Sequence, residues 1–174
     1  HYPGTYLAGG YNRLKTEMFG RIIENEDLVN MPNWLELSFR IESGPWFCLS
    51  DVDLLEYKQE LDIRHAILYR RIRFRDDKDR ITMVSERRMV SMTKINLAGL
   101  ETTIEAENWA GRIEFRSAID GRVVNNGVER YKNLNNRHLI PLETSNPKHD
   151  TIFVKVRTNQ SDIRVAVAAR TRVF

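Results

Sequence analysis

Glu24-Asn25-Glu26-Asp27-Leu28-Val29-Asn30-Met31-Pro32-Asn33-Trp34-Leu35 sets three acids, three asparagines, a proline and a tryptophan between two apolar, strand-like runs. Asn and Asp side chains bond to nearby backbone and hold turns open. Pro32 fixes its own φ and pushes Met31 toward extended backbone. Trp34 offers a large flat face and one N–H donor. Such a stretch is either a rigid corner or a surface for a polar, ring-shaped ligand, and the residues alone leave both open.

What flanks the stretch decides the fold class. On its C-terminal side Leu35, Leu37, Phe39 and Ile41 alternate with polar residues, the period-2 signature of a half-buried strand. Glu42-Ser43-Gly44-Pro45 then turns the chain, and Trp46-Phe47-Cys48-Leu49 is expected to return it as the second arm of a hairpin. On its N-terminal side Leu14, Met18 and Ile22 have helical spacing, but Gly20 interrupts them, so residues 11–23 read as loop and strand. Residues 1–10 read as a turn and a short strand around Thr5-Tyr6-Leu7-Ala8.

Further along, residues 51–61 read as a strand whose exposed face switches midway, as a bulge allows. Residues 67–75 put Leu68, Ile72 and Phe74 on one face and Tyr69, Arg71, Arg73 and Arg75 on the other, ahead of the charged turn Asp76-Asp77-Lys78-Asp79. Strands follow at 81–92, 97–105 and 113–119, with Asn108 and Trp109 in a loop and Asp120-Gly121 as a turn. Residues 123–136 read as a long Asn-rich surface loop, 137–142 as strand, and 144–150 as a polar turn containing Pro147. The alternating runs Ile152–Val156 and Ile163–Ala169 close the chain. About ten strands at a spacing of about 10–12 residues, without an amphipathic helix or βαβ alternation, give an all-β antiparallel sandwich.

The 174 residues suffice for one domain with a real core, so residues 1–174 are read as a single β-sandwich domain. The net charge of +3 is a slim excess of 27 basic over 24 acidic residues, too little to argue for nucleic acid. With Cys48 alone, no internal disulfide or CxxC zinc site forms. No run reaches the ~20 apolar residues that cross a bilayer, and no signal segment opens the chain, so a cytoplasmic setting without membrane contact is expected. The start at His1 suggests a piece of a longer polypeptide. Asn159-Gln160-Ser161 fits a glycosylation sequon but lacks a secretory context.

Glu24, Glu26 and Asp27 have the proximity that paired carboxylate chemistry needs, yet any acidic turn has it too, and the bland expectation is solvation or an ion pair with Arg21. The arginines at 70, 71, 73, 75, 87 and 88 alternate with acids, so a solvated sheet face with cross-strand ion pairs is expected. The histidines at 1, 65, 138 and 149 lack metal-ligand spacing, and Cys48 between Phe47 and Leu49 reads as a buried small hydrophobe.

Several phrases go beyond pattern. His1-Tyr2-Pro3-Gly4-Thr5-Tyr6, Gly10-Tyr11-Asn12, residues 24–34, Tyr57-Lys58-Gln59-Glu60-Leu61-Asp62 and Arg87-Arg88-Met89-Val90-Ser91-Met92 occur in the order seen in one family. Glu107-Asn108-Trp109-Ala110-Gly111, Ser117-Ala118-Ile119-Asp120-Gly121 and Arg137-His138-Leu139 continue that order. Together they resemble the N-terminal domain of glycoside hydrolase family 65, which contains phosphorylases and some hydrolases of α-glucosyl disaccharides such as maltose and trehalose. The resemblance implies a large antiparallel supersandwich of the galactose-mutarotase type, here expected to be truncated. It also implies a following (α/α)₆ barrel that carries the catalytic Glu and the phosphate site, so no residue of this chain is assigned catalysis.

The expected function is then that of a non-catalytic sandwich that packs on the barrel of the same polypeptide. It would support the active-site rim and assembly, in a homodimeric parent enzyme that turns over a disaccharide. Inorganic phosphate would be the co-substrate if the parent is a phosphorylase, and no cofactor or metal is expected. Asn30, Asn33 and Trp34 are the substrate-binding candidates, set against a corner in which Trp34 is a plug. The alternative is an independent carbohydrate-binding or mutarotase-like module, which needs a general acid/base pair, typically His with Glu, and for which His65 and His138 are candidates only in name.

Overall fold

A computed structural model describes residues 4–127 and 133–174 of the chain. The motif residues His1, Tyr2 and Pro3, and the middle of the expected 123–136 loop, lie outside the described residues. Eleven strands occur among them: β1 (Tyr11–Met18), β2 (Arg21–Leu28), β3 (Asn33–Ile41), β4 (Asp53–Asp62), β5 (Ile67–Arg75), β6 (Ile81–Val90), β7 (Ala98–Ala106), β8 (Ile113–Asp120), β9 (Leu139–Lys148), β10 (Thr151–Thr158) and β11 (Arg164–Arg170). A single 3₁₀ turn, Leu49–Asp51, is the helical content described. The sheets are β1-β2, β11-β10-β9, β3-β8 and β4-β5-β6-β7, none closed into a barrel, which is the all-β sandwich architecture expected from the alternation.

Tertiary contacts divide the chain into two compact units, residues 1–37 with 116–174, and residues 38–115, the chain passing between them within β3 and β8. In the first unit Val29, Met31, Val154, Val156 and Val165 form the buried core, with Ile119, Leu139, Ile163 and Val167 against it. In the second, Phe39, Ile41, Ile72, Phe74 and Val84 do the same, joined by Phe47, Val52, Ile104, Trp109 and Ile113. The alternation of β5 is reproduced, with Ile72 and Phe74 buried and Tyr69, Arg71 and Arg75 exposed. The arginine-rich outer face is laced by Arg73–Glu107 at 2.7 Å, Arg87–Glu101 at 2.8 Å and Arg71–Glu56 at 3.8 Å. The register of β4 against β5 slips between Leu54 and Glu56, where a switch of face was expected.

Four expectations are corrected. The acidic end of the opening stretch is strand, not loop: Glu24 to Leu28 belong to β2, and only residues 29–32 connect it to β3. β1 and β2 form a hairpin closed at Phe19 (φ 51) and Gly20 (φ 72), the paired positive φ of a tight two-residue turn. That turn demands the glycine that broke the helical reading. Pro147 does not end a strand, because β9 runs through it to Lys148. β9 is the last strand of its sheet, and a strand bonded on one side tolerates a missing N–H.

Residues 45–48 are not strand either. Phe47 N donates to Phe39 O (2.8 Å) and its ring stacks on Phe39 at 4.8 Å, but Pro45 has no N–H and the pairing stops there. Cys48 therefore leaves the alternating register and is exposed, with Sγ 3.0 Å from Ser50 Oγ. Native protein is expected to react stoichiometrically with a maleimide at Cys48, as rapidly as denatured protein to within about tenfold. Reaction only after denaturant is added would contradict this placement.

Candidate functional site

The corner after β2 is buried throughout. Val29, Asn30, Met31, Pro32 and Asn33 are all enclosed. Val29 N donates to Gly10 O (2.8 Å) and Met31 N to Thr5 O (2.6 Å), so the segment just before β1 lies along the corner. Gly10 allows this approach, since a Cβ there would lie 2.9 Å from Met31 Cε and 3.1 Å from Leu7 O. Asn30 is 1% exposed. Its Oδ1 accepts from Thr5 N (2.9 Å), and its own N donates to Asn125 Oδ1 (2.8 Å). Asn125 Nδ2 completes the loop by donating to Leu28 O (2.9 Å).

Asn33 is 3% exposed, with Nδ2 donating to Glu36 Oε1 (2.8 Å) and Oδ1 accepting from Leu35 N (3.0 Å). Trp34 is half-buried. Of the three candidates, Asn30 and Asn33 thus spend their amides inside the protein, and Trp34 alone presents part of its surface.

The acids lie differently from what a loop would give. Glu24 and Glu26 share one face of β2 and pair with the residues opposite them on β1, Glu26 with Arg13 at 2.6 Å and Glu24 with Lys15 at 3.9 Å. These partners, rather than Arg21, neutralise them. Both pairs are solvent-exposed and worth little. Asp27 points the other way, and two carboxylates on opposite faces of a strand cannot flank one bond.

Asp27 instead belongs to a buried polar network that sequence reasoning did not find. Asn12 Oδ1 accepts from Gln160 N and Ser161 N, both at 3.0 Å. Its Nδ2 must then face the other way, donating to His138 Nδ1 (3.0 Å) and Asn159 Oδ1 (2.7 Å). A donor aimed at Nδ1 makes that nitrogen the acceptor, so the ring proton of neutral His138 sits on Nε2, 3.4 Å from Asp27 Oδ2. Asn25 Nδ2 donates to the same Asp27 oxygen. His138 is 1% exposed. Burial pushes its pKa below the ordinary value and the Asp27 carboxylate partly opposes that. Asn159 Nδ2 donates to Arg137 O (3.0 Å), so the sequon asparagine is a structural pin.

A neutral ring whose Nδ1 already accepts a bond is a poor general base. The sign of the shift fixes a pH dependence. A folded-state pKa below the unfolded 6.5 gives stability that is complete above 6.5 and declines as pH falls from there toward the folded value. The ring signals of His138 in NMR are expected to titrate only below the ordinary value. Titration at or above it would contradict the burial that lowers the pKa.

His65 lies apart, exposed on the turn after β4, with Nδ1 2.7 Å from Asp62 Oδ2. In residues 38–115 the motif residue Asn108 also pins backbone, and its neighbour Trp109 bonds a side chain. Asn108 Oδ1 accepts from Ile81 N (2.6 Å) and its Nδ2 donates to Asp79 O (2.9 Å). Trp109 Nε1 donates to Thr82 Oγ1 (3.0 Å). Among the described residues no three of His, Cys, Asp and Glu come together as a metal site, and no helix is long and apolar enough to cross a membrane.

The model of the glycosyl hydrolase family 65 N-terminal domain matches residues 1–174. This chain belongs to that family. An uncharacterized glycosyl hydrolase of Mycobacterium tuberculosis (Rv2006) is 47% identical over the whole chain, which covers 13% of that protein. The kojibiose phosphorylase of Thermoanaerobacter brockii is 26% identical over 98% of the chain and 21% of its own length. The trehalose 6-phosphate phosphorylase of Lactococcus lactis is 29% identical over 98% of the chain, again 21% of its length. The chain thus spans between about an eighth and a fifth of the relatives it matches.

Proposed function

We propose that this family 65 domain is the non-catalytic N-terminal sandwich of a longer, cytoplasmic enzyme that cleaves an α-glucosyl disaccharide. The observation that carries the reading is the agreement between family and geometry. Of the motif residues, Asn12, Asn30, Asn33 and His138 are buried in polar networks and the exposed Asn108 pins backbone, and none of them belongs to an open cluster of acid, base and nucleophile. Phosphorylases among the relatives favour phosphorolysis, with inorganic phosphate as co-substrate. The catalytic carboxylic acid would then belong to a helical barrel in the rest of the polypeptide, on which this domain packs, in a homodimeric enzyme. Trp34, with its half-exposed indole at the entrance to β3, is the residue of the corner suited to reach a sugar ring.

Assay of the longer protein on maltose, trehalose and kojibiose tests the reading. Glucose 1-phosphate release that requires inorganic phosphate is expected from one of them. Equal glucose release with and without phosphate would make the enzyme a hydrolase, and no cleavage of any α-glucosyl disaccharide would refute the proposal. Trp34→Ala in the same assay separates the two roles of the corner: a raised KM at unchanged stability places the ring at the sugar, whereas lost stability at unchanged kinetics makes it a plug.

A further inference from the structure

The sheet of β4, β5, β6 and β7 outruns the layer that covers it. Strand register sets Tyr57, Ile72, Val84 and Ile104 in one row across its core-facing side. Ile72 and Val84 are buried there in the cluster that includes Phe39 and Ile41. The next row on this face, Gln59, Arg70, Glu86 and Thr102, is polar and is tied by Arg70 to Glu86 at 2.6 Å. Beyond it the face turns apolar again, with Leu61, Leu68, Arg88 and Leu100, and then Val90 opposite Ala98. Ile63, Met92 and Ile95 stand on the two turns at that same end. This end is uncovered: Leu61 is 58%, Val90 56%, Ile63 85% and Met92 84% exposed. A sheet buries its apolar face against another layer, and a contiguous exposed apolar patch marks a contact surface.

Charge narrows what the contact is. The acids near this end already have partners, Asp62 in His65 (2.7 Å), Glu86 in Arg70 (2.6 Å) and Glu101 in Arg87 (2.8 Å). Arg64, Arg88 and Lys94 have no ion pair among the described residues. The patch is therefore apolar with a surplus of cations, and the half-buried Arg88 stands in its middle. A second copy meeting the same face across a two-fold axis would set these cations against their own counterparts. A carboxylate-bearing segment instead satisfies Arg88 while its apolar side chains cover the leucines. The chain spans 13–21% of the relatives named above, so such a segment has ample room in the same polypeptide.

We propose that the Leu61–Leu68–Arg88–Leu100 end of this face is where the rest of the longer polypeptide packs on residues 38–115, with apolar side chains and a carboxylate opposite Arg88. The inference rests on the reading of this chain as one domain of a longer enzyme, and it names the face that makes the contact.

Peroxide oxidation of the longer protein, followed methionine by methionine with mass spectrometry, tests this. Met92 is expected to oxidise at least about tenfold more slowly in the native protein than in the same protein unfolded in urea. Native and unfolded rates equal to within about twofold would overturn the proposal. So would protection that disappears when a dimer is diluted to monomer, which would assign the face to a second copy. Arg88→Glu should expose Met92 and raise its oxidation rate about fivefold, while Met83, buried on β6, stays slow and shows that the fold is kept. Full protection of Met92 in folded Arg88→Glu would refute the carboxylate partner. The disaccharide assay is read separately. Cleavage with an open Met92 refutes this inference alone, and a protected Met92 without cleavage refutes the enzymatic reading alone.

Discussion

Replacing Asn12 by Leu is expected to lower stability by about 2–4 kcal/mol, because a near-isosteric apolar side chain removes at once every bond that Asn12 makes in the network. His138 Nδ1 and Asn159 Oδ1 lose their donor, and the backbone N–H groups of Gln160 and Ser161 lose their acceptor. Those two N–H groups lie on an exposed turn and can turn to water, so the buried His138 ring carries most of the penalty. Asn12→Asp is the sharper comparison. It retains an acceptor for Gln160 and Ser161 but turns a lone pair toward His138 Nδ1, and relief comes only if the ring takes a second proton there. The folded-state pKa of His138 would then lie above the unfolded one. Such a group contributes stability below the unfolded value, which is lost as pH rises through the folded value. Urea unfolding at about pH 5 and about pH 8 should therefore show Asn12→Asp closer to the parent at the acid end. Equal deficits at both pH values would refute the assigned ring tautomer.

Phe74→Ala should cost about 3–5 kcal/mol. The ring is 2% exposed and lies 4.8 Å from the Phe47 ring and 6.4 Å from that of Phe39. Ile72 and Val84 belong to the same buried cluster. Truncation leaves a cavity where three aromatic rings meet, and the strands around it are held by long ladders that cannot collapse inward. Phe74→Met, nearer in volume, should cost distinctly less. Hydrogen exchange of β5 and β6 amides reports the loss at the site. Indifference of those amides to Phe74→Ala would contradict the core assigned to residues 38–115.

What the sequence revealed and what it hid follow from the range of the forces involved. Strands with one apolar face, such as β3, β5 and β8, announce themselves through period-2 alternation, which is a local property. β2 does not, because Glu24 and Glu26 on one face and Asn25 and Asp27 on the other leave no apolar stripe, and only the hairpin partner explains the pattern. Pro147 misled for a similar reason, since whether a proline ends a strand depends on which edge of the sheet is free. Cys48 was misjudged because alternation was extended past a proline that stops the pairing.

The Asn12–His138–Asn159 network joins residues 126 and 147 positions apart, and no spacing rule reaches that far. The corner at residues 29–33 was recognisable as special from its composition. Whether its asparagines faced inward required the positions of Thr5 and Asn125.

We propose above that this domain supports a catalytic centre carried by the rest of a longer polypeptide. The most direct test measures phosphate-dependent glucose 1-phosphate release side by side, on the longer protein and on the 174-residue chain alone, with maltose, trehalose and kojibiose. The expected result is turnover by the longer protein and none above buffer by the chain alone. Cleavage of any of these disaccharides by the chain alone, or polarimetric interconversion of glucose anomers by it, would contradict the account.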